Sequence, residues 1–233
     1  MTLRQKTRAF VLNRKNKGEA NRVITFYTED FGKISVFAKG IRKINSKLKE
    51  NVENLGLLHI EFIETSKRRT LVDTAVLLSF SKSKKEIERF RSSEKIREDI
   101  NNLIKEEEKD KGVWNLLEET LIENENAKNY ILLPYYFFFN LASLLGYKPE
   151  LEKCCLCQRK INQEESFFLP GKGLVDKKCS KNSIVILPQT VKLLRFFLEK
   201  KAKEIAMIKT ENIAISPLLN ISEKSSGVFS ENM

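Results

Sequence analysis

The hydrophobic pattern of this chain changes abruptly at Ser81, and this change constrains the fold more than any other feature. Before it, five short runs rich in β-branched and aromatic residues alternate with polar turns, as in antiparallel β-structure. After it, apolar residues recur at helical intervals among Lys, Glu and Arg. The five runs are Thr7–Leu12, Arg22–Tyr27, Lys33–Ala38, Gly56–Glu64 and Thr70–Leu78. We therefore predict an α+β protein with an all-β domain over residues 1–80 and a helical domain over residues 81–233.

The spacing of the five runs favours a small closed barrel. A polar loop at Asn13–Gly18 separates the first two runs, a turn at Thr28–Gly32 joins the second to the third, and a longer charged connection covers residues 40–54. The OB-fold is the commonest barrel of this size that binds single-stranded nucleic acid, and we predict it here. An SH3-like barrel is the alternative.

The helical domain is predicted from apolar periodicity. A charged break at residues 106–112 contains the run Glu106–Glu108, which we interpret as a solvated surface, and a helix is predicted over Trp114–Ile122. The uncharged segment Tyr130–Tyr147 is long enough to span a bilayer, but its Pro, Asn, Ser and Tyr content favours a buried central helix. Pro188 is predicted to begin another helix, and the polar last twelve residues are expected to fray.

Positive charge is concentrated at the N-terminal end. The net charge is +11, and the first fifty residues hold thirteen Lys or Arg against four acidic residues. Such a field attracts polyanions, either nucleic acid or an anionic membrane surface, and its position on a barrel favours nucleic acid. The predicted DNA-binding residues are Arg14, Lys15, Lys17, Arg22, Lys39, Arg42, Lys43, Lys47, Lys49, Lys67, Arg68 and Arg69.

Aromatic residues of the barrel are candidates for base stacking, which sequence-tolerant binders use. Phe26 and Phe37 are predicted to pack in the core, whereas Phe31 lies in a turn and is the better stacking candidate.

The four cysteines have the spacing of a metal site. Cys154 and Cys157 form a C-x-x-C pair, and Asp176 and Cys179 follow with the spacing of a second pair in which aspartate replaces the first cysteine. We predict a Cys₃Asp zinc site, with Cys155 as an alternative ligand after a register shift. The competing interpretation is that the metal has been lost and only the turns of the zinc knuckle remain.

No enzymatic motif was found in the sequence. Gly171–Gly173 lacks the spacing and hydroxyl of a phosphate-binding loop, no G-x-S-x-G elbow occurs, and His59 is the single histidine. The first residues contain no apolar run of signal-peptide length. We therefore expect a cytoplasmic protein that is not an enzyme and has no membrane partner.

Two segments carry a resemblance to a known family. Residues 19–40 (EANRVITFYTEDFGKISVFAKG) are one, and residues 144–157 (LLGYKPELEKCCLC), followed by GKGLV at residues 171–175, are the other. In this order they resemble the bacterial RecO family of DNA repair proteins, and the resemblance covers nearly the whole chain.

The resemblance implies an OB-fold, a helical domain and an embedded zinc-finger-like element at about residues 150–185. It also implies a recombination mediator that responds to DNA damage. Such a protein binds single- and double-stranded DNA, anneals complementary strands and, with RecR, helps to load RecA on strands coated by single-strand-binding protein. The acidic C-terminal tail of that protein is expected to bind a groove of apolar and basic residues in the helical domain. The implied location is the cytoplasm, at the nucleoid during repair.

Two other classes remain as alternatives. One is an RNA- or ribosome-associated OB-fold protein without a strand-exchange role. The other is a zinc-dependent nucleic-acid enzyme, which the absence of a His or Glu ligand set disfavours.

Overall fold

The computed structural model describes residues 3–53, 55–161, 166–211 and 213–232. Asn54, at the end of the predicted charged connection, and residues 162–165, within the predicted zinc element, lie outside the described residues. The chain forms two compact units, Met1–Asn115 and Leu116–Met233.

The first unit contains a closed five-stranded barrel, so the predicted α+β class with an N-terminal barrel is confirmed. Neighbouring strands follow the order β1-β2-β3-β5-β4, and β4 pairs back to β1. Every pairing is antiparallel except that of β3 with β5, which meet at Phe37 and Thr70. This order and the single parallel contact are those of the OB-fold. The strands are β1 (Leu3–Lys17), β2 (Asn21–Thr28), β3 (Gly32–Ala38), β4 (Leu57–Glu64) and β5 (Arg69–Leu78).

The first strand is longer than the sequence pattern predicted. The polar segment at residues 13–17, predicted as a loop, continues β1 and pairs with β2 as far as Lys17 opposite Asn21. A bulge between Val11 and Asn13 shifts the register there. The prediction was wrong because the hairpin partner satisfies the backbone polar groups of this segment, although its side chains are too polar to show a buried face.

The barrel core is built from alternate residues of the strands, as the period of two requires. Ile24 and Phe26 of β2, and Ile34 and Val36 of β3, have no exposed surface. Phe62 of β4 is equally buried in the same cluster. Truncating a core aromatic residue such as Phe26 to alanine is expected to cost about 3–5 kcal/mol of folding free energy.

Three helices and an irregular segment complete the first unit. The helices are α1 (Lys47–Val52), α2 (Ser81–Lys85) and α3 (Ile87–Leu103). In α1, the Asn51 amide nitrogen donates to the Thr74 carbonyl oxygen at 2.8 Å. In α3, the buried Arg97 guanidinium donates to the Leu55 carbonyl oxygen. The strands end at Leu78, but the Arg97 bond ties α3 to the segment before β4, and the compact unit extends past residue 80.

The second unit is mainly helical. Its helices are most of α4 (Lys111–Asn126), then α5 (Leu133–Leu144), α6 (Pro188–Glu199), α7 (Ala202–Ile205) and α8 (Ser216–Asn232). The helix α5 lies in the predicted central apolar segment, and its Phe137, Phe138 and Phe139 are all buried. Pro188 occupies the start of α6, where its missing N–H costs nothing. Among the described residues, we found no helix that is long and apolar enough to cross a membrane.

The C-terminal segment forms a helix, and the prediction that it frays was wrong. Ile221, Ser225 and Phe229 in α8 recur every four residues and are buried. The Phe229 ring lies 4.5 Å from the Tyr147 ring between centroids. The buried face includes serine, whose small side chain packs closely. Because serine is polar, an analysis of hydrophobic residues alone does not show the helical pattern of this segment.

A small antiparallel sheet lies between α5 and α6 in the chain. Its strands are β6 (Ser166–Leu169), β7 (Gly173–Val175) and β8 (Ile184–Ile186), in the order β7-β6-β8. The segment that carries Cys154 attaches to it, because the Cys155 amide donates to the Leu174 carbonyl oxygen at 2.8 Å. Gly173 has a φ of +125°, and an added Cβ would collide with the Glu150 backbone, so glycine is required at this contact.

Candidate nucleic-acid interface and metal site

An open cleft of about 610 Å³ lies on the barrel beside β2, β3 and the turn between β4 and β5. Four predicted DNA-binding residues meet there, one from the end of β1 and three from the β4–β5 turn and the start of β5. The lining residues are Lys17, Val23, Ser35, Phe37, Glu64, Thr65, Ser66, Lys67, Arg68, Arg69 and Glu107. We call this surface the barrel cleft. It combines the exposed cations of Lys17, Lys67 and Arg68 with an aromatic ring, the two kinds of group that proteins use to bind single-stranded nucleic acid.

Local hydrogen bonds fix the turn that presents the basic residues. The Thr65 amide donates to the Arg68 carbonyl oxygen at 3.1 Å, and the Thr65 hydroxyl donates to the same oxygen at 2.9 Å. This closes a tight turn and leaves Lys67 and Arg68 exposed. The Arg68 guanidinium folds back over the Phe37 ring, with Cζ 4.5 Å from the ring centroid.

The structure reverses the predicted roles of two phenylalanines. Phe37, predicted for the core, is half-buried and lines the barrel cleft. Phe31, predicted for stacking, packs against the core cluster with its ring edge-to-face on Phe62, 5.4 Å between centroids. The position of Phe37 follows from the register of β3. Ile34, Val36 and Ala38 fill the inner face of the strand, so Phe37 lies on the outer face.

A second group of predicted residues follows β3. Arg42 bonds the turn between β1 and β2, through its Nη1 to the Gly18 carbonyl oxygen at 3.2 Å and through its amide to the Ala20 carbonyl oxygen at 3.0 Å. Lys39 and Lys43 are exposed in the same segment. Lys15 of β1 is exposed as well, and so are Lys47 and Lys49 of α1.

Arg14 and Arg22 are engaged by the protein itself. The Arg14 Nε donates to the Val52 carbonyl oxygen at 2.9 Å, and burial lowers the pKa of its guanidinium. The Arg22 Nη1 bonds a carboxylate oxygen of Glu53 at 3.1 Å. Both side chains join β1 and β2 to the region of α1. A count of charged residues along the sequence cannot distinguish this structural role from nucleic-acid binding.

Two acidic residues of the barrel cleft were missed by sequence reasoning. Arg69 Nη2 lies 2.7 Å from a carboxylate oxygen of Glu64 and 2.8 Å from one of Glu107. Burial acts to lower the pKa of Arg69, but the hydrogen bonds to Glu107 and Glu64 outweigh it and raise that pKa above its ordinary value. The run Glu106–Glu108 is thus a partner of the barrel, where the sequence suggested only a solvated surface.

Three of the four predicted metal ligands meet in the second unit. The sulfur atoms of Cys154, Cys157 and Cys179 all lie within 4.8 Å of one another. Burial acts to raise the pKa of Cys154, but backbone amides of Cys157, Asp176 and Leu156 lower it to about 7. A thiol that ionises readily beside two others suits a soft divalent ion such as Zn²⁺.

Asp176 lies outside this group. Its carboxylate accepts a hydrogen bond from the Lys178 amide at 2.9 Å and caps a short 3₁₀ helix, Lys177–Cys179. Cys155, the alternative ligand, is also outside the group, and burial raises its pKa. The structure therefore assembles three thiols, and it gives Asp176 a capping role that brings Cys179 to the other two.

Comparison with known families agrees with this architecture. The family model described as Recombination protein O N terminal matches residues 1–94, and the one described as Recombination protein O C terminal matches residues 96–224. The chain belongs to the RecO family. Its broad role is therefore in DNA repair and recombination.

Curated RecO proteins are similar along most of the chain. DNA repair protein RecO of Dehalococcoides mccartyi is 29% identical over 216 residues, which cover 91% of this chain and 85% of that protein. The RecO protein of Caldanaerobacter subterraneus is 26% identical over 214 residues, covering 89% of this chain and 85% of that protein. The RecO protein of Halalkalibacterium halodurans is 24% identical over 195 residues, covering 82% and 76% respectively.

Proposed function

We propose that this protein is a non-enzymatic recombination mediator of the cytoplasm that binds DNA through the barrel cleft. It binds single and double strands, anneals complementary strands and, together with RecR, helps to load RecA on DNA coated by single-strand-binding protein. The observation that carries the proposal is the meeting of Lys17, Lys67 and Arg68 around Phe37. OB-folds bind oligonucleotides on the face of strands 2 and 3 and on the loops after strands 1 and 4, which is where these residues lie.

Annealing requires charge neutralisation and no bond chemistry. Two polyanions approach each other only when cations screen their phosphates, and Lys and Arg do this without regard to sequence. The barrel cleft supplies one cationic surface, and the exposed segment with Lys39, Arg42 and Lys43 supplies more charge on the same unit. When the Arg68 guanidinium that lies over its ring moves to a phosphate, Phe37 offers a flat face to one base and leaves the others free to pair.

The cysteine group is proposed to hold Zn²⁺ as a structural ion. Cys154 and Cys157 come from one turn, and Cys179 comes from the 3₁₀ helix that follows β7. An ion bound by these thiolates would join the turn at Cys154–Cys157 to the segment at Cys179, which lies more than twenty residues later in the chain. No nucleic-acid chemistry is assigned to it.

The acidic tail of single-strand-binding protein is proposed to bind a groove of about 400 Å³ beside α6. Leu193, Phe196 and Ile213 provide an apolar floor, and Lys192 provides a cation at the groove. An acidic segment with apolar residues matches this combination of charge and hydrophobicity.

Binding and annealing of DNA across a salt series test the main proposal. The Lys67→Glu/Arg68→Glu double variant is expected to lower affinity for single strands and to slow annealing, because two phosphate contacts are replaced by repulsion. The matched control, Lys203→Glu/Lys224→Glu, makes the same charge change at exposed residues of the second unit. Equal loss in both variants would show a general charge effect and remove the barrel cleft as the DNA site.

A parallel measurement of RNA binding distinguishes the proposed DNA mediator from an RNA-associated protein. Complementary DNA strands coated by single-strand-binding protein should anneal faster with the protein than without it. Binding of RNA alone, with no effect on DNA annealing, would instead favour an RNA-associated OB-fold protein.

A further inference from the structure

The acidic segment Glu106–Glu108 is held against the barrel by an isolated bridge to β3 and by two further hydrogen bonds. Lys33 and Glu106 form a parallel bridge beside β3, and the Glu107 amide donates to the Lys33 carbonyl oxygen at 2.7 Å. The Ser35 hydroxyl donates to the Glu106 carboxylate at 2.6 Å. Backbone and side-chain bonds together fix the segment along the edge of the barrel cleft.

Two backbone features show how closely the segment fits. Gly32 has a φ of +63°, and a Cβ there would collide with the Glu108 carbonyl group, so glycine permits the approach. Glu107 itself has a φ of +65°, a conformation that residues other than glycine seldom adopt. The surrounding contacts maintain this strained residue, and strain of this kind occurs preferentially at functional sites.

The consequence is that Glu107 directs its carboxylate into the barrel cleft. It lies 2.8 Å from Arg69 Nη2 and lines the same cavity as Lys67 and Arg68. Glu64 already neutralises Arg69 from the neighbouring strand at 2.7 Å. Glu64 bonds both Nε and Nη2 of Arg69, so Glu107 takes the remaining hydrogen of Nη2, which could otherwise be donated to a phosphate.

We propose that Glu107 is an affinity-setting residue of the barrel cleft, a carboxylate that occupies Arg69 in place of a nucleic-acid phosphate. This inference rests on the proposed DNA-binding function of the same surface. A phosphate that reaches Arg69 must displace Glu107, so the protein holds single strands less tightly than its positive charge allows. Weaker holding suits an annealing protein, which must release the product once the strands have paired.

The test is the binding of a fluorescent single-stranded oligonucleotide to Glu107→Gln. The variant keeps the shape of the side chain, and folding is expected to persist because 65% of the Glu107 side chain is exposed. Affinity is expected to rise about two- to fivefold at low salt, the scale of an exposed ion pair. The slope of log affinity against log salt should steepen by less than about 0.7, because Glu64 still partly neutralises the guanidinium that then contacts a phosphate.

The matched control is Glu88→Gln on α3. Glu88 bonds Arg91 at 2.7 Å and is 63% exposed, so the control removes one negative charge and one Glu–Arg pair away from the barrel cleft. A gain in Glu107→Gln that the control does not show is the expected result. Equal affinities of the two variants would overturn the inference.

A double-mutant cycle with Arg69→Gln separates displacement from general repulsion. If Glu107 acts by occupying Arg69, the gain from Glu107→Gln disappears in the Arg69→Gln background. If the gain persists there, Glu107 merely repels DNA and the inference is wrong.

The Lys67→Glu/Arg68→Glu variant shows whether only the role of Glu107 is wrong or whether the barrel cleft does not bind DNA at all. If the double variant weakens DNA binding while Glu107→Gln changes nothing, only the role of Glu107 is rejected. If the double variant leaves DNA binding intact, the barrel cleft is not the DNA site and both proposals are rejected.

Discussion

The Arg68 guanidinium lies over the ring of Phe37, with Cζ 4.5 Å from the ring centroid. The contact joins the turn between β4 and β5 to the outer face of β3. A cation over the face of an aromatic ring is attracted by its quadrupole, an effect of about 0.5–1 kcal/mol at an exposed site. The pair therefore keeps a cation and a stacking surface together before any nucleic acid binds.

We predict that Phe37→Leu weakens the binding of single-stranded DNA. Leucine retains most of the apolar volume but has no face on which a base can stack, and such stacking contributes about 1–3 kcal/mol per base. Fluorescence anisotropy with a short oligonucleotide measures the loss. Folding stability should change little, because Phe37 lies on the outer face of the barrel.

Phe31→Leu is the control with the opposite expectation. Its ring packs edge-to-face on Phe62 against the barrel core. The substitution should lower the free energy of unfolding by about 1 kcal/mol and leave DNA affinity unchanged. If Phe31→Leu weakens binding more than Phe37→Leu does, the assignment of the stacking residue is wrong.

Local pattern predicted the five barrel strands and the pairing of Cys154 with Cys157, because both depend on residues close together in the chain. The alternation of residues 33–38 identifies β3, and the C-x-x-C spacing identifies Cys154 and Cys157. Sequence could not predict features that depend on distant contacts. The pairing of Glu107 with Arg69 joins residues on separate elements, and the burial of Arg14 depends on Val52. A count of Lys and Arg along the sequence therefore overestimates the number of cations that are available to bind DNA.

Asp99 is predicted to make folding stability depend on pH. Burial raises the pKa of this carboxyl on α3 to about 7, and Lys95 only partly opposes the shift. The folded protein thus holds the proton more tightly than the unfolded chain, whose Asp pKa is about 3.9. The stabilisation from the protonated carboxyl is complete below about pH 4 and is lost as the pH rises through about 7.

Asp99→Asn should remove this dependence. Urea unfolding of both proteins from pH 4 to 8 should show the wild type losing stability relative to the variant by as much as about 4 kcal/mol. Glu98→Gln, which removes an adjacent exposed carboxyl that contributes far less to this pKa than burial does, should keep most of the wild-type pH dependence. Parallel curves for wild type and Asp99→Asn would contradict the prediction.

The metal site is predicted to depend on Cys179 and to be independent of the Asp176 carboxylate. Asn accepts the same capping hydrogen bond as Asp, so Asp176→Asn keeps the 3₁₀ helix while it removes the charged oxygen. Elemental analysis should find about one zinc ion per chain in the wild type and in Asp176→Asn, and little in Cys179→Ser. Cobalt substitution should give the same thiolate absorption in the first two.

Two results would change this assignment. Loss of zinc from Asp176→Asn would make the aspartate a ligand, as the sequence spacing predicted. Clearly substoichiometric zinc in gently purified wild-type protein would reject the site and favour a zinc knuckle that has lost its metal.

The groove beside α6 is predicted to bind the acidic tail of single-strand-binding protein through one cation and an apolar floor. Lys192→Glu places a negative charge beside that floor, and the affinity for a tail peptide should fall by about 1 kcal/mol or more. Lys203→Glu makes the same charge change at another exposed lysine of this unit and should leave peptide binding intact.

Leu193→Asn should also weaken peptide binding, because it places an amide in the apolar floor. All three variants should bind naked DNA as the wild type does, since the proposed DNA site is on the barrel. Unchanged peptide affinity in both groove variants would show that the tail binds elsewhere.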